Sequence, residues 1–140
     1  MKIITARTQQ QQDDAYFVRK TVFVEEQGVP AELEIDQHDK TAVHIVAYDN
    51  ERPVGAGRFR IVDGYGKVER VCVLSSHRKD GVGKQLMLKM QEVAKEQGVP
   101  KLKLNAQTHA EGFYKHLGYE TVSDEFLDAG MPHVTMIKEL

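Results

Sequence analysis

The sequence predicts a single α/β domain in which helices flank a mixed β-sheet. The chain has 140 residues, which is the size of one domain, and no shift in composition marks a boundary within residues 1–140. Between residues 43 and 74, three strand-like segments are joined by short turns, which is typical of an antiparallel meander. From residue 67 to residue 106, a strand, an amphipathic helix and another strand follow one another. This order indicates a right-handed parallel crossover.

The predicted elements follow from apolar periodicity and from helix stop signals. In chain order they are strand 2–6, a helix from residue 13 or 14 to about 27, an acidic loop 31–40 with one helical turn, strands 43–48, 54–62 and 67–74, a helix from about 84 to 97, strand 101–106, helix 110–117, and strands 119–122 and 133–138. Asp13 or Asp14 is a suitable residue to cap the first helix. Gly28 followed by Pro30 predicts its end, because glycine takes the left-handed cap conformation and proline prevents continuation.

Composition excludes several classes of function. The formal net charge of −2 and the pI near 6.3 provide no basic field, so we expect no nucleic-acid partner. No apolar run approaches the ~18 residues of a membrane span, so we expect no membrane partner. The single Cys72 cannot form an internal disulfide, which fits a cytoplasmic protein. The six histidines show no metal-ligand spacing, so we expect no metal.

A glycine turn lies between the strand that ends near residue 74 and the following helix. Arg78, Gly81 and Gly83 form an Arg-x-x-Gly-x-Gly pattern, and Lys79 and Lys84 add positive charge. A helix N-terminus with glycines and cations is a suitable pyrophosphate site, although such a turn is also a common tight connection. The turn is neither a Walker A loop, since no Ser or Thr follows Lys84, nor a Gly-x-Gly-x-x-Gly dinucleotide turn.

This pattern resembles the signature of the GNAT superfamily of N-acetyltransferases, Arg/Gln-x-x-Gly-x-Gly/Ala, which begins the helix after the fourth strand. The resemblance covers nearly the whole chain. Residues 19–27, 105–107, 112–119 and 130–133 are similar to a small bacterial subgroup often called ElaA-like. The combined pattern is specific for fold and cofactor, and it is not specific for the acceptor. It implies a single-domain GNAT acyltransferase fold.

The resemblance implies that acetyl-CoA binds in a cleft where the fourth and fifth strands separate. The pyrophosphate would contact backbone N–H groups of the turn, at Arg78, Lys79, Asp80, Gly81, Val82, Gly83 and Lys84. The pantetheine arm would extend along Val71, Cys72 and Val73. Asn105 would contact pantetheine or a water, and the alternative is a turn former at the end of its strand. Asp80 departs from the expected chemistry. Its carboxylate would oppose the phosphates unless it points away or caps the helix.

Two residues are candidates for the chemistry of acetyl transfer. By the resemblance, Tyr114 would contact the cofactor and act as the general acid that protonates the departing CoA thiolate. The alternative is a core aromatic, because Phe113, Tyr114 and Leu117 also form an ordinary apolar helix face. Glu69, on the fourth strand, is a candidate base. The alternation of its strand does not show which face Glu69 occupies, so a solvated carboxylate is the alternative.

The predicted acceptor is a primary amine of a small molecule or a peptide. Glu26 and His133 are candidate acceptor contacts, and the alternative for His133 is an ordinary loop histidine. The acidic loop 31–40 would attract a cationic amine or simply be solvated. Arg58 and Arg60 would bind an acidic group of the acceptor or face water. The sequence predicts a monomer or a homodimer. The alternative function is a CoA-binding sensor or interaction module without turnover.

Overall fold

The computed structural model describes residues 1–140. The chain forms one eight-stranded mixed sheet that is covered by helices on both faces. Its strands are β1 (Lys2–Thr5), β2 (Val43–Asp49), β3 (Arg52–Val62), β4 (Tyr65–Val73), β5 (Lys101–Gln107), β6 (Glu120–Thr121), β7 (Phe126–Asp128) and β8 (Met131–Glu139). The order across the sheet is β1-β2-β3-β4-β5-β8-β6, and β7 also pairs with β8. Only the β4–β5 pair is parallel, as the crossover predicts. The predicted fold class is confirmed.

The helices divide between the two faces of the sheet. They are α1 (Gln9–Arg19), continued by a π-helical segment (Lys20–Glu26), α2 (Ala31–Glu34), α3 (Val82–Glu96) and α4 (Glu111–His116). On one face, Ala15 and Val18 of α1 pack against Val46, Ala56 and Cys72 of the sheet. On the other face, α3 contributes to the larger core of 18 buried residues, and Tyr114 of α4 packs against it. None of these helices combines the length and the apolar surface that a bilayer span requires.

Glycines on β3 let α3 approach the sheet closely. The Cβ of an alanine at Gly55 would lie 2.8 Å from Val82 Cγ1, and one at Gly57 would clash with Met90 Cε. Leu86 and Met90 of α3 are consequently fully buried against this strand. The close contact fixes the position of α3, and therefore of the glycine turn that precedes it.

The first helix begins earlier than its acidic residues predict. Thr8 is its N-cap, and the Thr8 side chain accepts from the Gln11 backbone while the Gln11 side chain accepts from the backbone of Thr8. This capping box uses Thr-x-x-Gln, so the predicted cap at Asp13 or Asp14 is wrong. Those two carboxylates instead accept hydrogen bonds from glutamine side chains one turn earlier. The predicted end is confirmed by Gly28, which is left-handed with φ +75°.

Candidate active site

A cleft opens where β4 and β5 separate. The two strands pair only from Gly66↔Leu102 to Val68↔Leu104, whereas β4 continues beside β3 as far as Val73. The β3–β4 register shifts between the pairs Ala56↔Cys72 and Arg58↔Glu69. One residue of β3 therefore faces two residues of β4, and one of these two, Arg70, has φ +61°. Such a bulge bends a strand, which accounts for the separation from β5.

The edge of β4 that borders the cleft carries free backbone groups. The N–H of Leu74 donates to Val54 O of β3 at 2.8 Å, and successive residues of a strand direct their polar groups to opposite sides. The groups of Val71 and Val73 therefore point into the cleft, and those of Cys72 point toward β3. Arg78 Nε donates to Val73 O at 3.0 Å. Of the three predicted pantetheine contacts, Val71 and Val73 lie on the open edge, and Cys72 does not.

Cys72 is a buried thiol on the α1 face of the sheet. Its exposed fraction is 6 %. Burial raises the pKa of the thiol to about 12, so Cys72 stays protonated at neutral pH. This environment suits a packing residue and not a nucleophile.

The glycine turn leads into α3 with free backbone donors. Gly81 is the N-cap with φ +77°, and no side chain caps the helix. The first helical bond joins Gln85 N–H to Gly81 O, so the N–H groups before Gln85 have no partner in the helix. A Cβ at Gly81 would meet nothing within 4 Å, and one at Gly83 would lie 3.4 Å from Phe113 Cζ. Asp80 is exposed and does not cap, because Gly81 occupies the cap position.

Arg78 connects this turn to the end of the first helix. Its Nη2 lies 2.5 Å from Glu26 Oε2, and Glu26 is the last residue of the π-helical segment. Short π-helical stretches occur often at functional sites. Glu26, predicted as an acceptor contact, is therefore paired with the guanidinium of the turn.

Tyr114 is partly buried against the larger core. Its ring makes an edge contact with Tyr119, with ring centroids 5.8 Å apart, and the neighbouring Phe113 reaches toward Gly83 of the turn. The Tyr114 hydroxyl makes no hydrogen bond within the protein. Burial raises its pKa to about 12, so the hydroxyl holds its proton throughout the physiological range. A protonated and unpartnered hydroxyl is suited to donate to a sulfur in the cleft.

The position of Glu69 argues against the predicted role as a base. Glu69 Oε1 accepts from Arg60 Nε at 2.8 Å and from Arg58 Nη2 at 3.2 Å. Burial acts to raise the pKa of Glu69, but the bond from Arg60 and the charges of Arg58 and Lys67 outweigh it and lower the pKa. A carboxylate stabilised in this way is a weak proton acceptor.

A buried ion network, which the sequence did not predict, occupies the α1 face. Arg19 binds Glu34 at 2.8 Å and Asp39 at 2.7 Å, and Arg58 binds Asp36 at 2.8 Å and Asp39 at 2.7 Å. The guanidiniums are 1 % and 0 % exposed, so the prediction that Arg58 contacts the acceptor or faces water is wrong. The residues 31–40, predicted as a loop with one helical turn, form α2 and a 3-10 turn that this network holds against the sheet. The sequence held one signal for this network: Arg58 alternates along β3 with buried apolar residues.

Polar side chains of β5 and β8 complete the α1 face of the cleft. Thr135 Oγ1 donates to Asn105 Oδ1 at 2.9 Å, one residue beyond the last β4–β5 pair. His133 is 8 % exposed, stacks on Phe126 with ring centroids 6.0 Å apart, and bonds Met131 O through Nδ1. Asn105 is exposed at the start of the opening, and its contact with the cofactor or a water stays a prediction. No group of three or more His, Cys, Asp or Glu side chains has the arrangement of a metal site.

Diverging parallel strands, an open strand edge and an anion-binding helix N-terminus define the class of acyltransferases that use CoA thioesters. Residues 5–140 match the profile of the Acetyltransferase (GNAT) domain. The chain therefore belongs to the GNAT acetyltransferase family, and the family prediction is confirmed.

Similar proteins agree with this assignment. The uncharacterized N-acetyltransferase YjcF of Bacillus subtilis (strain 168) is 53 % identical over 140 residues, which cover 99 % of this chain and 100 % of the relative. The crystal structure of Escherichia coli ElaA superposes with a TM-score of 0.88 at 28 % identity and covers 99 % of each chain, which supports the ElaA-like subgroup. An aminoglycoside 6′-N-acetyltransferase complexed with coenzyme A shares the fold, with a TM-score of 0.81 at 18 % identity and coverage of 99 % and 97 %.

Proposed function

We propose that this protein is an acetyl-CoA-dependent N-acetyltransferase that acts on a primary amine of a small molecule or peptide by direct attack in a ternary complex. The observation that carries the proposal is the open backbone edge formed by Val71 and the N–H of Val73, in a cleft beside an uncapped helix N-terminus. The free edge suits the amides of pantetheine, and the helix N-terminus suits a pyrophosphate.

The residues present fit acetyl-CoA. The free N–H groups at the start of α3 and the side chains of Lys79 and Lys84 would hold the pyrophosphate. The open space around a Cβ at Gly81 lets a phosphate approach the backbone. Val71 and the N–H of Val73 would pair with the pantetheine. Arg78 is paired with Glu26, so its role in the proposal is to fix the turn.

Bound acetyl-CoA supplies an acetyl group activated as a thioester. A neutral amine attacks the carbonyl carbon, so that an N–C bond forms as the C–S bond breaks. Tyr114 donates its phenolic proton to the departing sulfur and regains a proton from solvent. The amine nitrogen loses its extra proton to water, since Glu69 is held as a carboxylate by Arg58 and Arg60.

The test combines calorimetry with an amine screen. We expect CoA and acetyl-CoA to bind, and we expect at least one primary amine in a broad panel to increase thiol release from acetyl-CoA above hydrolysis. Binding without stimulation by any amine would favour the sensor module over the enzyme. Absence of binding at millimolar CoA would contradict both functions.

A pair of variants at one position tests the phosphate site. Gly83→Asp adds charge and bulk where the phosphates approach, so we expect it to abolish CoA binding. Gly83→Ala is the matched control, because its Cβ would lie 3.4 Å from Phe113 Cζ and adds no charge. Equal loss of binding in both variants would indicate a packing effect, and retained binding in Gly83→Asp would place the phosphates elsewhere.

A further inference from the structure

We propose that the acceptor carries an anionic group, a carboxylate or a phosphate, close to its reactive amine, and that Arg70 binds this group. The proposal rests on the acetyltransferase function and names the class of its acceptor. Three features of the molecule support it: the position of Arg70, its free donors, and the charge balance around it.

Arg70 lies at the point where the acceptor must approach. The β4–β5 pairing ends at Val68, and Arg70 is two residues further along β4, on the bulge that opens the cleft. Its side chain turns to the α1 face, where Nε donates to Glu34 O at 3.2 Å. The thioester would lie at the narrow end of the cleft beyond the free edge of Val71. An amine that reaches the thioester from the α1 face passes Arg70.

The guanidinium of Arg70 has donors to spare. Its hydrogen bonds are those to Glu34 O and to Asp36 Oδ2, the latter long at 3.4 Å, and Nε also lies 3.9 Å from Glu34 Oε1. Nη1 has no partner. The Arg70 side chain is 27 % exposed, whereas those of Arg19 and Arg58 are 1 % and 0 % exposed. An arginine with one free edge can bind a carboxylate or phosphate oxygen pair.

The carboxylates near the bulge are already neutralised. The network contains four carboxylates, Glu34, Asp36, Asp39 and Glu69, and five cations, Arg19, Arg58, Arg60, Lys67 and Arg70. One positive charge is therefore in excess. A cationic group finds no free carboxylate there, while an anion finds the open side of Arg70. The acidic loop, predicted to attract a cationic amine, instead serves as the counter-ion of buried arginines.

Arg60 provides a matched control within the same network. Its Nε binds Glu69, its side chain is 21 % exposed, and its Nη groups are also without partners. Arg60 lies on β3 opposite Lys67, however, where β4 and β5 are still paired and no cleft exists. Loss of this charge should not affect an acceptor at the bulge.

The experiment compares amines that differ only in an anionic group: L-phenylalanine with phenethylamine, L-lysine with cadaverine, and O-phosphoethanolamine with ethanolamine. For the wild-type protein, we expect kcat/KM for the anionic member of at least one pair to be about 10- to 100-fold higher. Comparing the two pairs that differ in a carboxylate with the pair that differs in a phosphate shows which anionic group the acceptor site prefers.

Variants then assign any preference to a residue. Arg70→Asn suits the left-handed backbone but lacks the charge, so we expect the preference to disappear, mainly through a higher acceptor KM. Arg70→Lys should restore part of it, and Arg60→Gln should keep it. The Kd of CoA should not change in any of the three, which separates this effect from damage to the cofactor site.

Each outcome decides a different point. Equal turnover of anionic and neutral partners would contradict the inference and leave the acetyltransferase function standing. A preference that survives in Arg70→Asn would show that another residue binds the anion. CoA binding without turnover of any amine in a broad panel would contradict the enzyme function, and the inference would fail with it.

Discussion

At the scale of single residues, Tyr114 carries the most direct prediction. Tyr114→Phe removes a hydroxyl that has no hydrogen-bond partner in the protein, so we expect little change in the free energy of unfolding or in CoA affinity. We expect kcat to fall by roughly 10²-fold, as for the loss of a general acid. Steady-state kinetics with calorimetry of CoA binding check both parts. Unchanged turnover would mean that Tyr114 is only a packing residue.

The pKa of Tyr114 predicts the shape of the pH–rate profile. Burial raises this pKa to about 12, and the protonated form is the active one. Activity that depends on the phenolic proton of Tyr114 is therefore present at pH values below this pKa and is lost only as the pH approaches it. We expect kcat/KM to rise with pH as the amine deprotonates and not to fall near pH 10, the ordinary pKa of a tyrosine. A falling limb near pH 10 that disappears in Tyr114→Phe would contradict the burial argument.

Individual site residues differed in how far the sequence could predict them. Gly81 and Gly83 were predictable because local backbone conformation and a recurrent family pattern both point to them. Glu69 and Arg58 were not, because their partners are distant in sequence and their face is set by a bulge. That bulge depends on Arg70 adopting φ +61°, which no neighbouring residue type signals. Local patterns therefore located the phosphate turn, and tertiary contacts decided the roles of the charges.

At the scale of elements, the ion network joins α1 and α2 to the sheet and predicts acid sensitivity. The hydrogen bond from Arg58 lowers the pKa of Asp36 to about 2. For Asp39, burial acts to raise the pKa, and the bonds from Arg19 and Arg58 outweigh it and lower the pKa. A carboxylate with a lowered folded-state pKa stabilises the fold above its unfolded pKa, near 3.9, and loses this contribution as pH falls toward the folded value.

We expect the free energy of unfolding to be nearly constant from about pH 7 to 5 and to fall steeply between about pH 4 and 2. Urea titrations at a series of pH values measure this. Asp36→Asn should lower stability at neutral pH and make the acid-dependent loss smaller. An identical acid-dependent loss in Asp36→Asn would show that other carboxylates are responsible.

The contact between α3 and β3 gives a second prediction at this scale. Gly55→Ala places a methyl group 2.8 Å from Val82 Cγ1 and 3.1 Å from Leu86 Cδ1. Overpacking of this kind costs about 1–3 kcal/mol of unfolding free energy. Gly112→Ala is the control, since Gly112 is helical, exposed and has open space around it. That control should be neutral or stabilising, and an equal loss in both variants would contradict the packing argument.

Element boundaries were predictable where glycine ends a helix, as at Gly28, Gly98 and Gly118, all of which have positive φ. The hairpin of β7 and β8 was missed because three residues are too few to show alternation. The π-helical segment was also missed, since seven residues are too few to distinguish a π-helical period from an α-helical one. Both elements were missed for the same physical reason: the conformation of a short element is determined by tertiary packing and not by the local preference of its residues.

At the scale of the whole molecule, the topology followed from general rules and the cleft did not. Short turns predict antiparallel neighbours, and a strand–helix–strand unit predicts a parallel pair. The opening between β4 and β5 depends on pairing that stops at Val68, which is a property of the assembled sheet. The resemblance to the family supplied this feature, whereas composition and periodicity had no means to indicate it.

The cleft joins distant parts of the chain, so its ligand should stabilise the entire fold. In the proposed complex, acetyl-CoA contacts the turn at the start of α3, the edge of β4 and Tyr114 of α4, and therefore binds only the folded state. At a concentration of 100 times Kd, such a ligand adds about 2.7 kcal/mol, which corresponds to a rise in Tm of roughly 5–10 °C. We expect acetyl-CoA to produce this rise in the wild-type protein and in Tyr114→Phe, but not in Gly83→Asp. Thermal unfolding at several acetyl-CoA concentrations provides the measurement. A rise that persists in Gly83→Asp would mean that acetyl-CoA binds outside this cleft.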